Sequence, residues 1–402
     1  MALNVKVGLI GPLDMLKFKN MAKTREKAIQ KAPASDVSGC FAINRNAKNL
    51  HPDCQQLTVD QIIDHPNANA KTFVLKTADG KPAAYFRAGQ YLSVSLTIGN
   101  SRITRPYSIS ASPKWALEGK YAITVKRNPA GFAADWILEN WKVGDQVTVS
   151  DGQGNFFYED LRDAKRVVAL AGGSGITPFL SMAYAIRDGI EDFELTILFG
   201  SRTEEAILFK QELDEIAAAC PKVKVVHILS DEEKSGYEHG FITAGLIEKY
   251  AKAPYSVFIC GPEAMYRFAA KEIQKLNLEP KFVRRELMGV PKKVTMEPGY
   301  PADCAGKTYK VTVRQGDREY ALEASADEPL LVAIERAGIA APSRCRSGEC
   351  GWCRSKLVSG TVFMPAENDG RRFADVESGY IHPCASFPTS DLMVEVPGSY
   401  VK

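Results

Sequence analysis

The sequence predicts a multidomain chain: an antiparallel β-barrel, then an α/β domain built on a parallel sheet, then a small α+β unit. Three observations carry that reading. Short β-rich runs punctuated by Gly and Pro fill residues 51–163, as in an all-β barrel. Beyond Arg166, apolar strands alternate with helical stretches, the texture of a parallel sheet covered by helices on both faces. Four cysteines then cluster near the C-terminus, behind a hairpin and a helix. At 402 residues the chain also exceeds a single core, since about 150 residues per domain is usual.

Taken in order, residues 1–50 read as an N-terminal extension with nine Lys/Arg against three Asp/Glu, Lys17, Lys19, Lys23, Arg25 and Lys27 lying close together. Two readings fit this run: a docking arm for an acidic partner, or simply a solvated helix face or packed N-terminal extension. The barrel, residues 51–163, takes its strands from Thr72–Lys76, Tyr91–Leu96, Arg102–Ser110, Tyr121–Arg127 and Gln146–Ser150, with one helix at Phe132–Trp141. In the α/β domain, residues 164–286, the apolar strand Val167–Leu170 leads through a glycine-rich turn into a helix ending near Arg187. Further strands are expected at Leu195–Phe199, Val223–Leu229 and Tyr255–Ile259, with a helix at Phe209–Ala219. Gly and Pro mark residues 287–306 as a linker. Residues 307–402 then offer a hairpin at Tyr309–Leu322 and a helix at Pro329–Ala337 before the cysteines.

Composition excludes several classes. A net charge of +3 gives no electrostatic footprint for nucleic acid. No run approaches the ~18 apolar residues of an integral membrane segment. Gly8, Gly11, Pro12 and Asp14 interrupt the apolar stretch Val5–Leu16, and no cleavage site follows it, so a secretory signal is not expected. Nine cysteines are too few for a disulfide scaffold, and their clustering suggests metal or redox chemistry in a cytoplasmic protein. His51, His65, His227 and His239 lack metal or triad spacing and read as structural.

Cys345, Cys350 and Cys353 are spaced C-x4-C-x2-C, and thirty residues separate Cys353 from Cys384. This is the plant-type arrangement in which four thiolates hold a [2Fe–2S] cluster. Gly348 and Gly351 let the loop bend around it. Zinc sites more often show two short hooks, and a Rieske centre needs two histidines where only His382 is near. With the run Arg344-Cys345-Arg346-Ser347-Gly348-Glu349-Cys350-Gly351, residues 307–402 resemble plant-type ferredoxins, which implies a β-grasp fold. Trp352 departs from that pattern; shielding the cluster, facing a partner and simple packing are all open readings.

Arg105-Pro106-Tyr107-Ser108 supplies a cation for phosphate, a ring for stacking and a hydroxyl for a ring nitrogen. Thr124-Val125-Lys126-Arg127 and a helix opened by Gly131 follow, and a helix N-terminus suits phosphate. Gly172-Gly173-Ser174-Gly175-Ile176-Thr177-Pro178 joins a strand to a helix, and Cys260-Gly261-Pro262-Glu263 follows the last strong strand. In that order these parts resemble the ferredoxin–NADP⁺ reductase superfamily over residues 51–286. The resemblance implies a flavin bound by Arg105, Pro106, Tyr107, Ser108, Thr124, Val125 and Lys126, with Ser108 beside the reactive flavin nitrogen N5. It also sets Gly131, Phe132, Ala133 and Ala134 against the FAD pyrophosphate; a hydroxyl is missing at Ala134, yet FAD is expected over FMN. Nicotinamide binding falls on Gly173, Ser174, Gly175, Ile176, Thr177 and Pro178 and on Cys260, Gly261, Pro262 and Glu263, with Cys260 and Ser108 the catalytic pair. Asp231 would repel a 2′-phosphate, which favours NADH; Ser201 and Arg202 are the alternative anchor for NADPH.

The domain order is similar to the reductase components that serve phthalate dioxygenase, phenylacetyl-CoA epoxidase and the hybrid-cluster protein. That similarity implies an NADH-dependent reductase, passing hydride to FAD and single electrons through [2Fe–2S] to a partner protein. Two other readings stay open: a stand-alone diaphorase acting on quinones, dyes or ferric complexes, and an electron-input component of a larger redox complex.

Overall fold

The computed structural model describes residues 18–32, 41–128, 131–287 and 289–398. The stretch Val5–Leu16, Lys17 and Cys40 lie outside the described residues, as do Pro129, Ala130 and Met288. The chain forms two compact units, residues 1–49 and 50–402. In the first, helix α1 (Met21–Lys31) buries none of its side chains. Helix α2 (Ala42–Leu50), which ends at the boundary, buries none either.

The second unit opens with the barrel. Its strands are β1 (Gln55–His65), β2 (Ala70–Thr77), β3 (Tyr91–Ile98), β4 (Ser101–Ser108), β5 (Lys120–Lys126) and, after helix α3 (Phe132–Asn140), β6 (Gln146–Val149). They run in the order β4-β3-β6-β1-β2-β5 with every pairing antiparallel. Ile109 bridges to Ile123, and Ser110 N donates to Ala122 O at 2.8 Å, so the end of β4 reaches β5 and closes the barrel. Phe73, Leu92, Val94, Tyr121 and Ile123 fill the interior. Strand β1 is absent from the runs read in the sequence. Its alternation is broken by a bulge between Val59 and Gln61, and only Leu57 and Val59 along it are buried.

Strands β7 (Arg166–Gly172), β8 (Glu194–Ser201), β9 (Val223–Leu229), β10 (Glu238–His239), β11 (Ser256–Cys260) and β12 (Val283–Arg285) build the second sheet. The order is β10-β9-β8-β7-β11-β12, all parallel. Between them run α4 (Thr177–Arg187), α5 (Lys210–Ala219), α6 (Ala244–Tyr250) and α7 (Glu263–Gln274). Because β8 lies on one side of β7 and β11 on the other, the strand order reverses at β7, and a crevice opens at its C-terminal end. Helix α5 starts one residue later than the sequence suggests, since Phe209 adopts φ 57° and stands outside it as the cap.

The last domain comprises β13 (Thr308–Gln315), β14 (Arg318–Ser325), α8 (Leu330–Arg336), β15 (Ser355–Ser359), β16 (Val362–Phe363), β17 (Tyr380–Ile381), β18 (Phe387–Pro388) and β19 (Leu392–Glu395). Its main sheet has the order β14-β13-β19-β15-β17, with β13 and β19 parallel and the rest antiparallel. Such a mixed sheet with α8 packed on it is the β-grasp arrangement. The segment ahead of it is not a loose tether. Val294, Tyr300 and Cys304 form a buried cluster with Ala326 and Phe387. No helix among the described residues is long and apolar enough to cross a membrane.

Candidate functional site

Three constellations converge in the second unit. The first lies on β4. Ser108 is 3% exposed, and its Oγ is buried with no hydrogen-bond partner. A buried hydroxyl left unpaired is costly, so a polar atom of a bound ring fits there. Arg105 donates from Nη1 to Thr104 O at 2.8 Å. Burial first, and then the guanidinium of Arg346, push Arg105 down to about 10, against the raising effect of Glu335. Burial likewise raises the Tyr107 phenol, with Arg105 opposing. Pro106 pairs with Ser93 in the ladder. Thr124 ties the floor together through Thr72 Oγ1 and Ser110 Oγ, each at 3.0 Å. The Val125 side chain is fully buried in the barrel core. Lys126 is half-buried, and its ammonium is lowered by burial and then by Arg202.

Gly131 caps α3 without side-chain help, and the first helical bond runs from Asp135 N to Gly131 O at 2.9 Å. The N–H groups of Phe132, Ala133 and Ala134 are therefore left at the helix mouth. Ala133 is buried, and Phe132 is exposed.

The second constellation sits at the reversal point of the parallel sheet. β7 ends on Gly172, Gly173–Ile176 makes a 3₁₀ turn, and α4 begins at Thr177 with Pro178 in its first turn. Gly173 needs its φ of 53°, and a Cβ there would stand 3.4 Å from Lys126 Nζ, so barrel and turn meet. A Cβ on Gly175 would come within 2.1 Å of Cys260 O. Only glycine lets the turn press against the end of β11. Thr177 Oγ1 donates to Ser174 O at 3.0 Å, and Ile176 is buried. Cys260 is 1% exposed, and burial, followed by Glu286, raises its thiol. Gly261 packs against Met265, Pro262 caps α7, and Glu263 accepts from Arg267 at 2.6 Å.

Ser201 closes β8 with its Oγ buried and unpartnered. Arg202 and Asp231, which argue for opposite dinucleotides, face each other at 3.9 Å, and Asp231 also accepts from Ser230 Oγ at 2.6 Å.

The third constellation is the cysteine loop between α8 and β15. Cys345, Cys353 and Cys384 are buried, while Cys350 is exposed. Cys353 and Cys384 bring their sulfurs to 3.4 Å, and Cys345 lies against Cys350 and Cys384. Backbone N–H groups of Ser347 and Cys350 reach Cys345 Sγ, and that of Trp352 reaches Cys350 Sγ, each at 3.4 Å. Converging thiols with N–H groups aimed at sulfur suit a binuclear cluster, where such bonds tune the potential. Trp352, 43% exposed, stacks its ring under Arg344, whose guanidinium carbon lies 3.6 Å from the centroid.

Residues that sequence reading passed over join the three. Tyr91 is the ladder partner of Ser108, and Cys345 and Cys350 are among the charges that, after burial, raise its phenol. Gln153 pairs with Tyr91 and accepts from Arg344 Nη1. Glu286 carries a buried carboxyl, and burial foremost, then the charges of Glu349 and Cys345, hold it far above the usual carboxylate range. His382 donates from Nδ1 to Gly348 O at 2.6 Å and so braces the cysteine loop. Only His382, two residues before Cys384, carried any positional signal. The other four histidines have local partners: His51 with Asp151, His65 with Thr72, His227 with Asp214 and His239 with Glu232 O.

Comparison with known proteins gives the same three parts. Residues 57–158 match the oxidoreductase FAD-binding domain, 169–271 the oxidoreductase NAD-binding domain, and 313–389 the 2Fe-2S iron-sulfur cluster binding domain. The chain is 30% identical over 350 residues to the ferredoxin reductase component of 3-ketosteroid-9-alpha-monooxygenase from Mycobacterium tuberculosis, covering 84% of this chain and 94% of that one. It is 29% identical over 353 residues to a component of the 1,2-phenylacetyl-CoA epoxidase of Escherichia coli, covering 84% and 96%. Among solved structures, phthalate dioxygenase reductase matches with a TM-score of 0.62 at 26% identity, over 85% of this chain and 98% of that one. The chain belongs to the family of ferredoxin-reductase-type oxidoreductases that carry FAD-binding, NAD-binding and [2Fe–2S] domains on one polypeptide.

Proposed function

We propose that this protein is an NADH-dependent reductase that feeds single electrons, by way of FAD and a [2Fe–2S] cluster held by Cys345, Cys350, Cys353 and Cys384, to an oxygenase. The oxygenase as acceptor rests on the names of relatives, which include monooxygenase and epoxidase components. The observation that carries the reading is the pairing of Tyr91 with both Ser108 and Gln153, the latter accepting from Arg344, the residue before Cys345. It supports a flavin site and a cluster close enough for direct electron passage. When bound, the flavin accepts a two-electron hydride and the cluster takes electrons one at a time.

The residues of the chain have separable tasks. Ser108 Oγ donates to the flavin ring, and Arg105 holds phosphate. The glycine turn 172–175 admits the dinucleotide pyrophosphate at the mouth of α4. Cys260 packs under the nicotinamide as a neutral thiol and excludes water. FAD over FMN is favoured by the free N–H groups at Phe132, Ala133 and Ala134, which can accept a second phosphate without the missing hydroxyl. NADH over NADPH rests on Asp231, whose carboxylate already engages Arg202 and so leaves that cation less available to a 2′-phosphate.

The test is anaerobic. NADH should reduce the reconstituted protein and, through it, a one-electron protein acceptor. Cys345→Ser should abolish transfer to that acceptor while ferricyanide reduction survives. Equal rates with the protein acceptor before and after cluster loss would sink the proposal in favour of a diaphorase.

A further inference from the structure

The two residues that lead into the cysteine loop are both tied to the barrel. Thr104 of β4 donates from Oγ1 to Ser343 O at 3.0 Å and lies 2.6 Å from Ser343 Oγ, and α8 packs against the same strand. One residue on, Arg344 donates from Nη1 to Gln153 Oε1. Cys345, the first thiol of the loop, comes next.

Gln153 is fitted to this place. Its backbone exchanges two hydrogen bonds with Tyr91, at 2.8 and 3.0 Å, and Tyr91 is the ladder partner of Ser108. Its Nε2 donates to the buried carboxylate of Asp151 while its Oε1 accepts from Arg344. An amide can donate to an anion and accept from a cation at once, which neither a carboxylate nor an ammonium can do. The guanidinium of Arg344 is also held through its face, its carbon lying 3.6 Å from the centroid of the Trp352 ring. Trp352 stands between Cys350 and Cys353, so Arg344 joins the barrel to both ends of the C-x4-C-x2-C loop. The half-exposed ring of Trp352 has its task in that brace.

We propose that Thr104 and Gln153 are positioning residues for the electron step: they hold Ser343 and Arg344, and through them the cysteine loop, at a fixed distance from the flavin strand β4. This rests on the flavin reading given above. In the step they serve, one electron passes from reduced flavin to the cluster, where one Fe(III) becomes Fe(II), and neither residue gives or takes a proton. Electron passage between two centres weakens steeply as the gap between them widens, so loosening this brace falls on the cluster step. Neither residue belongs to the nicotinamide-binding motifs, and hydride arrival should not depend on them.

The fully loaded, full-length protein is mixed rapidly with NADH under anaerobic conditions, as wild type, Thr104→Val, Gln153→Met and the double variant. Flavin bleaching should keep its wild-type rate. Cluster reduction in the double variant should slow about tenfold, from the loss of one charged and one neutral hydrogen bond. Thr104→Ser, which keeps the hydroxyl, should behave as wild type. Two further readouts separate position from damage. The chemically reduced cluster should keep its paramagnetic resonance signal and its midpoint potential. Hydrogen exchange of the oxidised protein should quicken over residues 339–347, where Ile339 N is bonded to Ile334 O and Ser347 N to Cys345 Sγ, and stay unchanged in β13 and β14.

Cluster reduction at the wild-type rate in the double variant would overturn the inference, as would exchange over residues 339–347 that does not quicken. Equal slowing of both steps, or a cluster potential shifted enough to account for the loss, would overturn it too. Wild-type protein that takes up no flavin would instead overturn the flavin reading itself.

Discussion

Ser108 Oγ is buried and unpaired, which is unfavourable for a flavin-free protein and useful to a loaded one. Ser108→Ala should therefore leave the melting temperature of flavin-free protein unchanged or raised. Rapid mixing with NADH should nonetheless show flavin reduction slowed by about a hundredfold, as loss of one preorganised donor does elsewhere. Gly175 makes the opposite kind of demand. A methyl group 2.1 Å from the Cys260 carbonyl cannot be absorbed by a flexible side chain. Gly175→Ala should cost upwards of about 1–3 kcal/mol in urea unfolding. These single residues show where the sequence could be read and where not. Ser108 and the glycines stood in recognisable motifs. Tyr91 and Glu286 stood in none, because their placement depends on a strand pairing and a domain contact between residues far apart in the chain.

At the scale of elements, the parallel strands β7, β8, β9 and β11 were legible, since each has a run of apolar residues, buried almost without a break in β7 and β11 and through the middle of β8. Strand β1 was not, because its solvent-facing half is polar and a bulge resets its alternation. The short strands of the last domain gave too little pattern to read, and the sheet there follows from pairing with β13.

Helix α3 offers a direct test of the cofactor. Ala134→Ser restores a hydroxyl at its open mouth and should tighten FAD several-fold, by about one neutral hydrogen bond, without tightening FMN. Strand β12 carries the main clamp between barrel and nicotinamide domain. Arg284 donates to Asn155 O and Phe157 O at 2.9 Å and pairs with Asp163 at 2.7 Å and Glu159 at 3.2 Å. Arg284→Met strands the fully buried Asp163 carboxylate and should cost about 3–5 kcal/mol of unfolding free energy.

Over the whole molecule, β4, the glycine turn and the cysteine loop come together around one junction. The cysteine spacing alone pointed to the last domain's chemistry; the junction became visible only through contacts such as Tyr91 with Gln153 and Gln153 with Arg344. Removing one ligand should separate the functions. Cys384→Ser should lose iron and acid-labile sulfide yet still oxidise NADH with small dyes.

The central claim is that electrons from the nicotinamide leave through the cluster. Its most direct test is anaerobic addition of NADH to the fully loaded protein, with the cluster followed by low-temperature electron paramagnetic resonance. The account predicts a reduced [2Fe–2S] signal that grows after flavin bleaching and is absent in Cys384→Ser. Complete flavin reduction with a cluster that stays oxidised, even when NADH is in excess and a one-electron protein acceptor is being reduced, would contradict it.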